Sequence, residues 1–588
     1  MDYKPLFTFS DSWDYLDQFR PDKVKGEWPT FPEIFHITAE RYPNKKGFVA
    51  HHKDHEEAYT FSEMEEHVHR ISQHFLMKGV KKGDRIVITG KNSPRWGLAY
   101  LATVEIGAVA VPIDYQLDVP TMTRLIEFAE AEFLFIDSEK YDQIDKKKAK
   151  VKEIVALESS KPNYIMDLAF KKEKEFEAPV YTDLMGILYT SGTTGNEKGV
   201  MLTHENFMSD AIQATHPAYL GPDEDDIWYA LLPLHHSYCF TSVFIESILN
   251  CGTCIFAATL SVSAMMKDLH DGGVTIISGI PLLYNKILKG LMKQVRSKGL
   301  AVHLYIGMMM RFSGFCKRVL GLNVGRALFK TLLTKANLVN VKFLICGAGP
   351  LAPETFRRYQ ELGLDFVQGY GMTETAPIST LNPKDHFKLK SVGKVFPLVD
   401  MKILNPDDDG IGEIALKGNI CCQGYFKNEE ATKELFTEDC YLKTGDMGYL
   451  DKENYLYLTG RAKSLIVTEG GKNVFPEEIE DHFQLFPQIE QIMIRGYIMD
   501  EATRSEGIEM VVFPSEEHYR TLGMFDDEKI KHDIVHAVKE VNRELLAYKR
   551  ISRIRIVEEA LAMTTTQKIK RPAVEQWLKT IEDKSFSL

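Results

Sequence analysis

The densest chemistry in the chain lies in the ten residues Thr190 to Gly199, bounded by the apolar runs Gly186-Ile-Leu-Tyr189 and Val200-Met-Leu202. Thr190, Ser191, Thr193 and Thr194 supply hydroxyl donors, and Lys198 supplies one cation. Gly192, Gly195 and Gly199 let the backbone turn where a Cβ would clash, presenting successive N–H groups. Such a loop suits a polyphosphate, particularly one that must leave as pyrophosphate. It lacks the Walker spacing, which needs four residues between the first glycine and Gly-Lys-Ser/Thr.

Other candidates are scattered. In Gly369-Tyr370-Gly371-Met372-Thr373-Glu374, Tyr370 can stack on a purine and Thr373 can donate to an α-phosphate. Glu374 has the hard oxygen ligands that Mg²⁺ prefers. Asp446 can accept from both vicinal hydroxyls of a ribose, and Arg461 follows it fifteen residues on. Lys568 and Lys570 stand in a basic run near the end of the chain, where a lysine is ordinarily solvated. His235 and His236 follow the apolar Leu232-Pro-Leu234, a setting that often holds neutral core imidazoles.

Elements of two kinds must position these groups. Thr60-Phe-Ser-Glu63 is a capping box opening a helix to about Met77. A helix is expected near Phe31–Tyr42, and helices and apolar strands then alternate: strand to Thr89, helix Trp96–Ile106, strand Ala108–Pro112. That alternation implies parallel sheets covered on both faces. Residues 139–178, dense in lysine and glutamate, read as a solvated surface segment. Strands are expected at Asp226–Pro233, Val274–Ser278 and Leu338–Ala348, with a helix over Pro353–Leu362. Short strands with Asp/Gly turns begin near Ser391. Beyond Gly460–Lys463, about 125 residues with one helix, Asp526–Leu546, suit a small α+β domain.

At 588 residues, two to four domains are expected. A net charge of −12 argues against nucleic acid as the main partner. Eight cysteines form no disulfide or zinc framework; Cys251-Gly-Thr-Cys254 reads as core in a reducing compartment. The first ten residues show no secretory signal pattern, and no window is apolar enough to span a membrane.

The wording of Tyr189-Thr-Ser-Gly-Thr-Thr-Gly-Asn-Glu-Lys-Gly199 resembles the phosphate loop of the adenylate-forming superfamily, with Glu197 where the family has proline. The resemblance runs from about residue 59 to the end, with five motifs in the family's order. It implies an α/β fold: a large N-terminal domain over 1–460, with parallel-rich sheets layered with helices and a distorted small β-barrel. A small mobile α+β C-terminal domain over 461–588 would carry the catalytic lysine. It implies ATP/AMP contacts from the loop, from Gly347-Ala348-Gly349 at the adenine with Gln368 near its edge, and from Gly369 to Thr373, Asp446 and Arg461. Thr190, Glu374, His236 and Lys568 would serve catalysis, Glu374 holding Mg²⁺ and His236 bordering an acyl pocket. Lys463 takes the family's hinge position. Gly470, Gly471 and Lys472 would flank the pantetheine arm of CoA. Ser464, Asn473 and Gln567 depart from the usual wording.

Within the superfamily the chain looks most like AMP-forming long-chain fatty acid–CoA ligases. The finer resemblance rests on the segment after Tyr284, Gly471-Lys-Asn-Val-Phe-Pro476 and the non-glycine residue before Lys568. The implied co-substrates are ATP and CoA, and the implied compartment is cytoplasmic. Three rivals stay open: acyl-AMP ligation to a carrier protein, an oxidative fate for the acyl-AMP, and a non-catalytic lipid-binding protein. Acyl length and oligomeric state are not legible. One interval stands apart: residues 285–342 hold twelve Lys/Arg and no Asp or Glu. That pattern fits amphipathic helices resting on an anionic membrane, or a helical insert with a solvated basic face.

Overall fold

A computed structural model describes residues 16, 18–20, 27–191, 197–257, 262–468, 472–500, 505–564 and 568–588. Two large sheets dominate. In the nine-stranded one, the strands Asp365–Gly371, Phe343–Cys346, Ile276–Gly279, Ile227–Ala230, Thr253–Phe256 and Lys46–His51 run parallel. Antiparallel strands flank them at both ends. In the six-stranded one, five parallel strands end in the antiparallel hairpin Leu184–Ser191/Glu197–Thr203. Phe343-Leu-Ile-Cys346 and Phe133-Leu-Phe-Ile136 are buried at every position. Strands covered on both faces read as continuous apolar runs, which is why these segments show no alternation.

Helices fill the space between the sheets. Pro94–Glu105 starts at Ser93, whose side chain accepts from the Trp96 N–H, and it is buried around most of its circumference. Its Tyr100 ring lies 4.6 Å from Phe240, and Phe240 stacks on Phe244 at 5.4 Å, joining the sheets through aromatic contacts. The capping box at Thr60 is formed, and its helix runs Phe61–Met77. The strands Val399–Leu404, Gly412–Gly418, Leu442–Leu450 and Leu456–Arg461 make an antiparallel sheet. It joins the antiparallel end of the large sheet through the Lys394–Tyr455 bridge and the Val392 N–H to Leu456 carbonyl bond, 3.0 Å.

Two expectations need correction. Residues 139–178 are not wholly a solvated surface segment: Glu153–Ala156 is the edge strand of the six-stranded sheet, and Ile165 and Leu168 are buried. The apolar run there is only four residues, too short to stand out among lysines and glutamates. The C-terminal region holds more than one helix. Pro476–Phe483, Glu516–Leu522, Asp527–Glu544 and Arg571–Leu578 accompany the sheet built on Ile489–Asp500 and Ser505–Pro514. Three of these helices are one or two turns long, so each shows little periodicity by itself. Among the described residues, no helix is long and apolar enough to cross a membrane.

Candidate active site

Segments that follow the carboxyl ends of the strands Ile227–Ala230, Phe343–Cys346 and Asp365–Gly371 carry several of the candidate residues, at the edge where open α/β sheets take ligands. Thr190 pairs with Lys198 across the 184–203 hairpin. Ser191 pairs with Glu197 there, by its backbone. Gly192, Thr193, Thr194 and Gly195 lie outside the described residues. The Lys198 Nζ stands 4.6 Å from the centre of the Tyr425 ring, and the Tyr425 hydroxyl donates to Glu374 Oε1 at 2.8 Å. Tyr425 thus ties the cation of the phosphate loop to the carboxylate of the second cluster. Burial pushes the Glu374 carboxyl above its ordinary range; the Tyr425 hydrogen bond and the charges of Lys198 and Arg461 oppose this.

Glu374 sits in the short 3₁₀ turn Thr373–Thr375, which is held from behind. The Ser237 hydroxyl donates to Thr373 Oγ1 at 3.2 Å, the Thr241 hydroxyl donates to the Ala376 carbonyl at 2.8 Å, and the buried Asp210 carboxylate accepts from Ile378 N–H. Gly371 is required by this turn, because a Cβ there would meet the Pro377 carbonyl oxygen at 1.7 Å. Gly347 packs on the face of Tyr238, where a Cβ would stand 3.0 Å from the ring. Ala348 beside it has φ +64°, and Gly349 lies against Pro281. Gln368 is buried in register with Cys346, one strand over.

Asp446 and Arg461 are cross-strand partners, since a turn folds Leu456–Arg461 back on Leu442–Leu450. Arg461 Nε stands 3.1 Å from Asp446 Oδ1, and the Tyr370 hydroxyl donates to Asp446 Oδ2 at 2.8 Å. The carboxylate is therefore oriented from two sides.

Lys568 arrives from the far end of the chain on a hairpin. Its N–H donates to Thr564 Oγ1 at 3.0 Å, and its carbonyl accepts from Thr564 N–H at 2.8 Å. Arg571 anchors the hairpin by donating to the Ile494 carbonyl at 2.7 Å and pairing with Glu480 at 2.6 Å. Lys568 is exposed to solvent, yet it stands near enough to Arg461 and Asp446 to feel their charges. Desolvation, then the nearby Arg461 charge, pull its pKa down to about 8, with Asp446 opposing. His236 also feels the Lys568 charge. Residues more than a hundred positions apart thus share one electrostatic neighbourhood.

The family described as "AMP-binding enzyme" matches residues 35–426. The chain belongs to the AMP-binding enzyme family. It is 28% identical over 539 residues to the long-chain-fatty-acid–CoA ligase FadD15 of Mycobacterium bovis, covering 85% of this chain and 87% of that one. It is 26% identical over 450 residues to the feruloyl-CoA synthase of an Amycolatopsis species, covering 75% and 80%. The ATP-bound structure of MatB from Rhodopseudomonas palustris superposes with a TM-score of 0.73 at 24% identity, over 94% of this chain and 99% of that one, which shows the shared fold. The adenylate-forming resemblance of the motifs and the α/β architecture therefore stand, and this AMP-binding enzyme is an adenylate-forming ligase.

In this AMP-binding enzyme His236 and His235 are both neutral at ordinary pH. Burial takes each imidazole down to about 3, helped at His236 by its neighbour. Their rings lie 4.2 Å apart, and His235 Nε2 stands 3.7 Å from Asp114. Lys463 occupies the exposed turn Ala462–Ser464, where the chain leaves the strand Leu456–Arg461. Lys472 is exposed; its carbonyl accepts from Thr468, and among the described residues it makes no hydrogen bond or ion pair to Glu374, Asp446, Arg461 or Lys568. Gly470 and Gly471 lie outside the described residues.

Sequence reasoning missed five residues: Tyr425, Ser237, Thr241, Asp210 and Gln484. Gln484 Oε1 accepts from Ala352 N–H at 2.9 Å and its Nε2 donates to the Pro350 carbonyl at 3.0 Å, pinning the 476–483 helix beside the segment that follows Gly347–Gly349. None carries a motif. Each reaches the site through packing between segments distant in sequence.

Proposed function

We propose that this AMP-binding enzyme activates a fatty acid with ATP to acyl-AMP and pyrophosphate, then transfers the acyl group to CoA. In the first half a carboxylate oxygen attacks the α-phosphorus and the bond to the pyrophosphate oxygen breaks. Two anions meet there, so cationic neutralisation matters more than acid–base help. The neutral His235 and His236 agree with that demand. The observation that carries the reading is the convergence of Lys568 with Arg461, Asp446 and His236, from segments more than a hundred residues away. In this reading Lys568 bridges the carboxylate and the α-phosphate, and Thr190, Lys198 and Thr373 bind phosphates. Asp446 and Arg461 bind the ribose, and Tyr370 and Gly347–Gly349 enclose the base. The oxygen donors of Glu374 and Thr373 fit Mg²⁺, which when bound would neutralise the triphosphate. A thiol then attacks the acyl carbonyl and AMP departs. The reading also includes a cytoplasmic location, with peripheral membrane contact through 285–342.

The long-chain assignment draws on the M. bovis relative, while the feruloyl-CoA relative keeps an aromatic acid in view. Each buried CH₂ contributes ~0.8 kcal/mol, so pyrophosphate release over a ladder of carboxylic acids should rise with chain length. A flat response, or a preference for cinnamate-like acids, would remove the fatty-acid assignment. Thioester formation with free CoA separates a CoA ligase from an enzyme that loads a carrier protein.

A pH dependence follows from Lys568. It must be protonated to neutralise charge, and its pKa in the free enzyme is about 8. The kcat/KM of ATP–pyrophosphate exchange should therefore be full well below pH 8 and fall as pH rises through that value. Lys568→Arg should carry this limb to higher pH. An alkaline limb unmoved by that substitution would assign the titration elsewhere.

A further inference from the structure

We infer that one face of the helix Leu300–Leu320 docks this enzyme on an anionic phospholipid bilayer. The helix begins after Gly299, ends at the left-handed Gly321 and buries only Met310, Ser313 and Cys316. Leu304, Tyr305, Met308, Phe312, Phe315 and Val319 leave between 57 and 64% of their area in solvent. Wound at 3.6 residues per turn, these six occupy one arc of roughly 100°. The opposite side rests on the main domain, where Gly314 abuts the Glu361 side chain and Lys317 pairs with Asp365 at 2.7 Å. The exposed arc is thus a second apolar face on a helix whose first is already seated. Contiguous exposed apolar surface of this kind marks an interaction site.

Charge selects the occupant. Arg311 and Arg318 follow Leu304 by seven and fourteen residues, so they line one border of the arc. Lys286, Lys293, Arg296, Lys298, Lys330 and Lys335 are exposed on the adjoining segments. Among the described residues, none of these six has a carboxylate within ion-pair distance. The segment 285–342 contains no acidic residue, within a chain of net charge −12. A second copy meeting this face would oppose cation to cation. A bilayer bearing anionic headgroups satisfies both parts, its acyl region taking the aromatic and aliphatic side chains and its headgroups taking the cations. The helix is not apolar enough to cross the membrane, so it lies along the surface. The benefit of such docking, access to an acid that partitions into lipid, rests on the fatty-acid reading above; the docking itself rests on the surface residues alone.

The test is co-sedimentation of the full-length enzyme with vesicles of phosphatidylcholine alone, or of phosphatidylcholine and phosphatidylglycerol in equal parts. Binding is expected only to the anionic vesicles and should weaken as salt rises. Each cation contributes about a fivefold factor in partitioning, so Arg311→Gln with Arg318→Gln should weaken binding on the order of 20-fold. Phe312→Ser with Phe315→Ser should abolish pelleting without altering the thermal melting, since both rings are in solvent. Equal binding to neutral vesicles, or none to either kind, would overturn the inference. So would a concentration-dependent dimer in sedimentation velocity that Phe312→Ser with Phe315→Ser dissociates. ATP–pyrophosphate exchange with a short, water-soluble acid is run in parallel and should match wild type in both double variants. Loss of exchange in wild type with retained pelleting condemns the ligase reading alone, whereas retained exchange without pelleting condemns the docking alone.

Discussion

Replacing Lys568 with alanine should reduce acyl-AMP formation about a hundredfold while leaving the reaction of preformed acyl-AMP with CoA near its normal rate. Removing one donor aimed at developing charge typically costs ~3 kcal/mol, about two orders of magnitude in rate. Lys568 has the setting for that role: it is reachable by solvent and its charge couples to Arg461, Asp446 and His236. Its low pKa without nucleotide reflects desolvation and the Arg461 cation, and a triphosphate would reverse that balance. The hairpin that delivers it is fixed by Arg571 to Glu480 and to the Ile494 carbonyl, so truncation at Lys568 leaves the supporting bonds intact. Pyrophosphate release and acyl-AMP consumption, measured separately, decide the matter. Equal loss in both would mean that Lys568 supports the fold or binds both substrates, and the assignment would go.

The second large effect is expected in the opposite half. On the proposed reading Lys568 stands at the reacting carboxylate in the first half, so we expect the C-terminal part to turn before thioester formation. Lys463, in the turn Ala462–Ser464 just past Arg461, is the proposed pivot. A 3₁₀ turn holds φ near the value that proline fixes, so Lys463→Pro should lock the present arrangement. Adenylation should survive, and CoA-dependent consumption of acyl-AMP should fall on the order of 100-fold, the scale of loss when reacting groups are kept out of line. Gln484 provides an internal comparison, because its bonds to Ala352 and Pro350 belong to the arrangement seen here. Normal thioester formation in Lys463→Pro would eliminate rotation about this residue.

Much of this is legible in the sequence. The Thr60 capping box, the helix Pro94–Glu105 and the buried parallel strands follow from side-chain pattern and local hydrogen bonding, which a sequence displays directly. Short elements among charged residues escaped: the strand Glu153–Ala156 and the small C-terminal helices owe their place to packing rather than to their own periodicity. Within the candidate site, Thr190, Lys198, Glu374, Asp446, Arg461 and Lys568 stood in recognisable wording, because the groups that would meet a ligand are constrained in type and local spacing.

What the sequence by itself determined is the chemical inventory: a hydroxyl- and glycine-rich loop, the carboxylates Glu374 and Asp446, the Arg461 cation, one late lysine, and an interval of cations without acids. Only tertiary structure decided who stands next to whom. That Tyr425 joins Lys198 to Glu374, that Asp210 and Thr241 brace the turn behind them, and that six apolar side chains of one basic helix face solvent are facts of packing. Contacts between segments far apart in the chain leave no spacing rule, because the loop between them can be almost any length at little entropic cost.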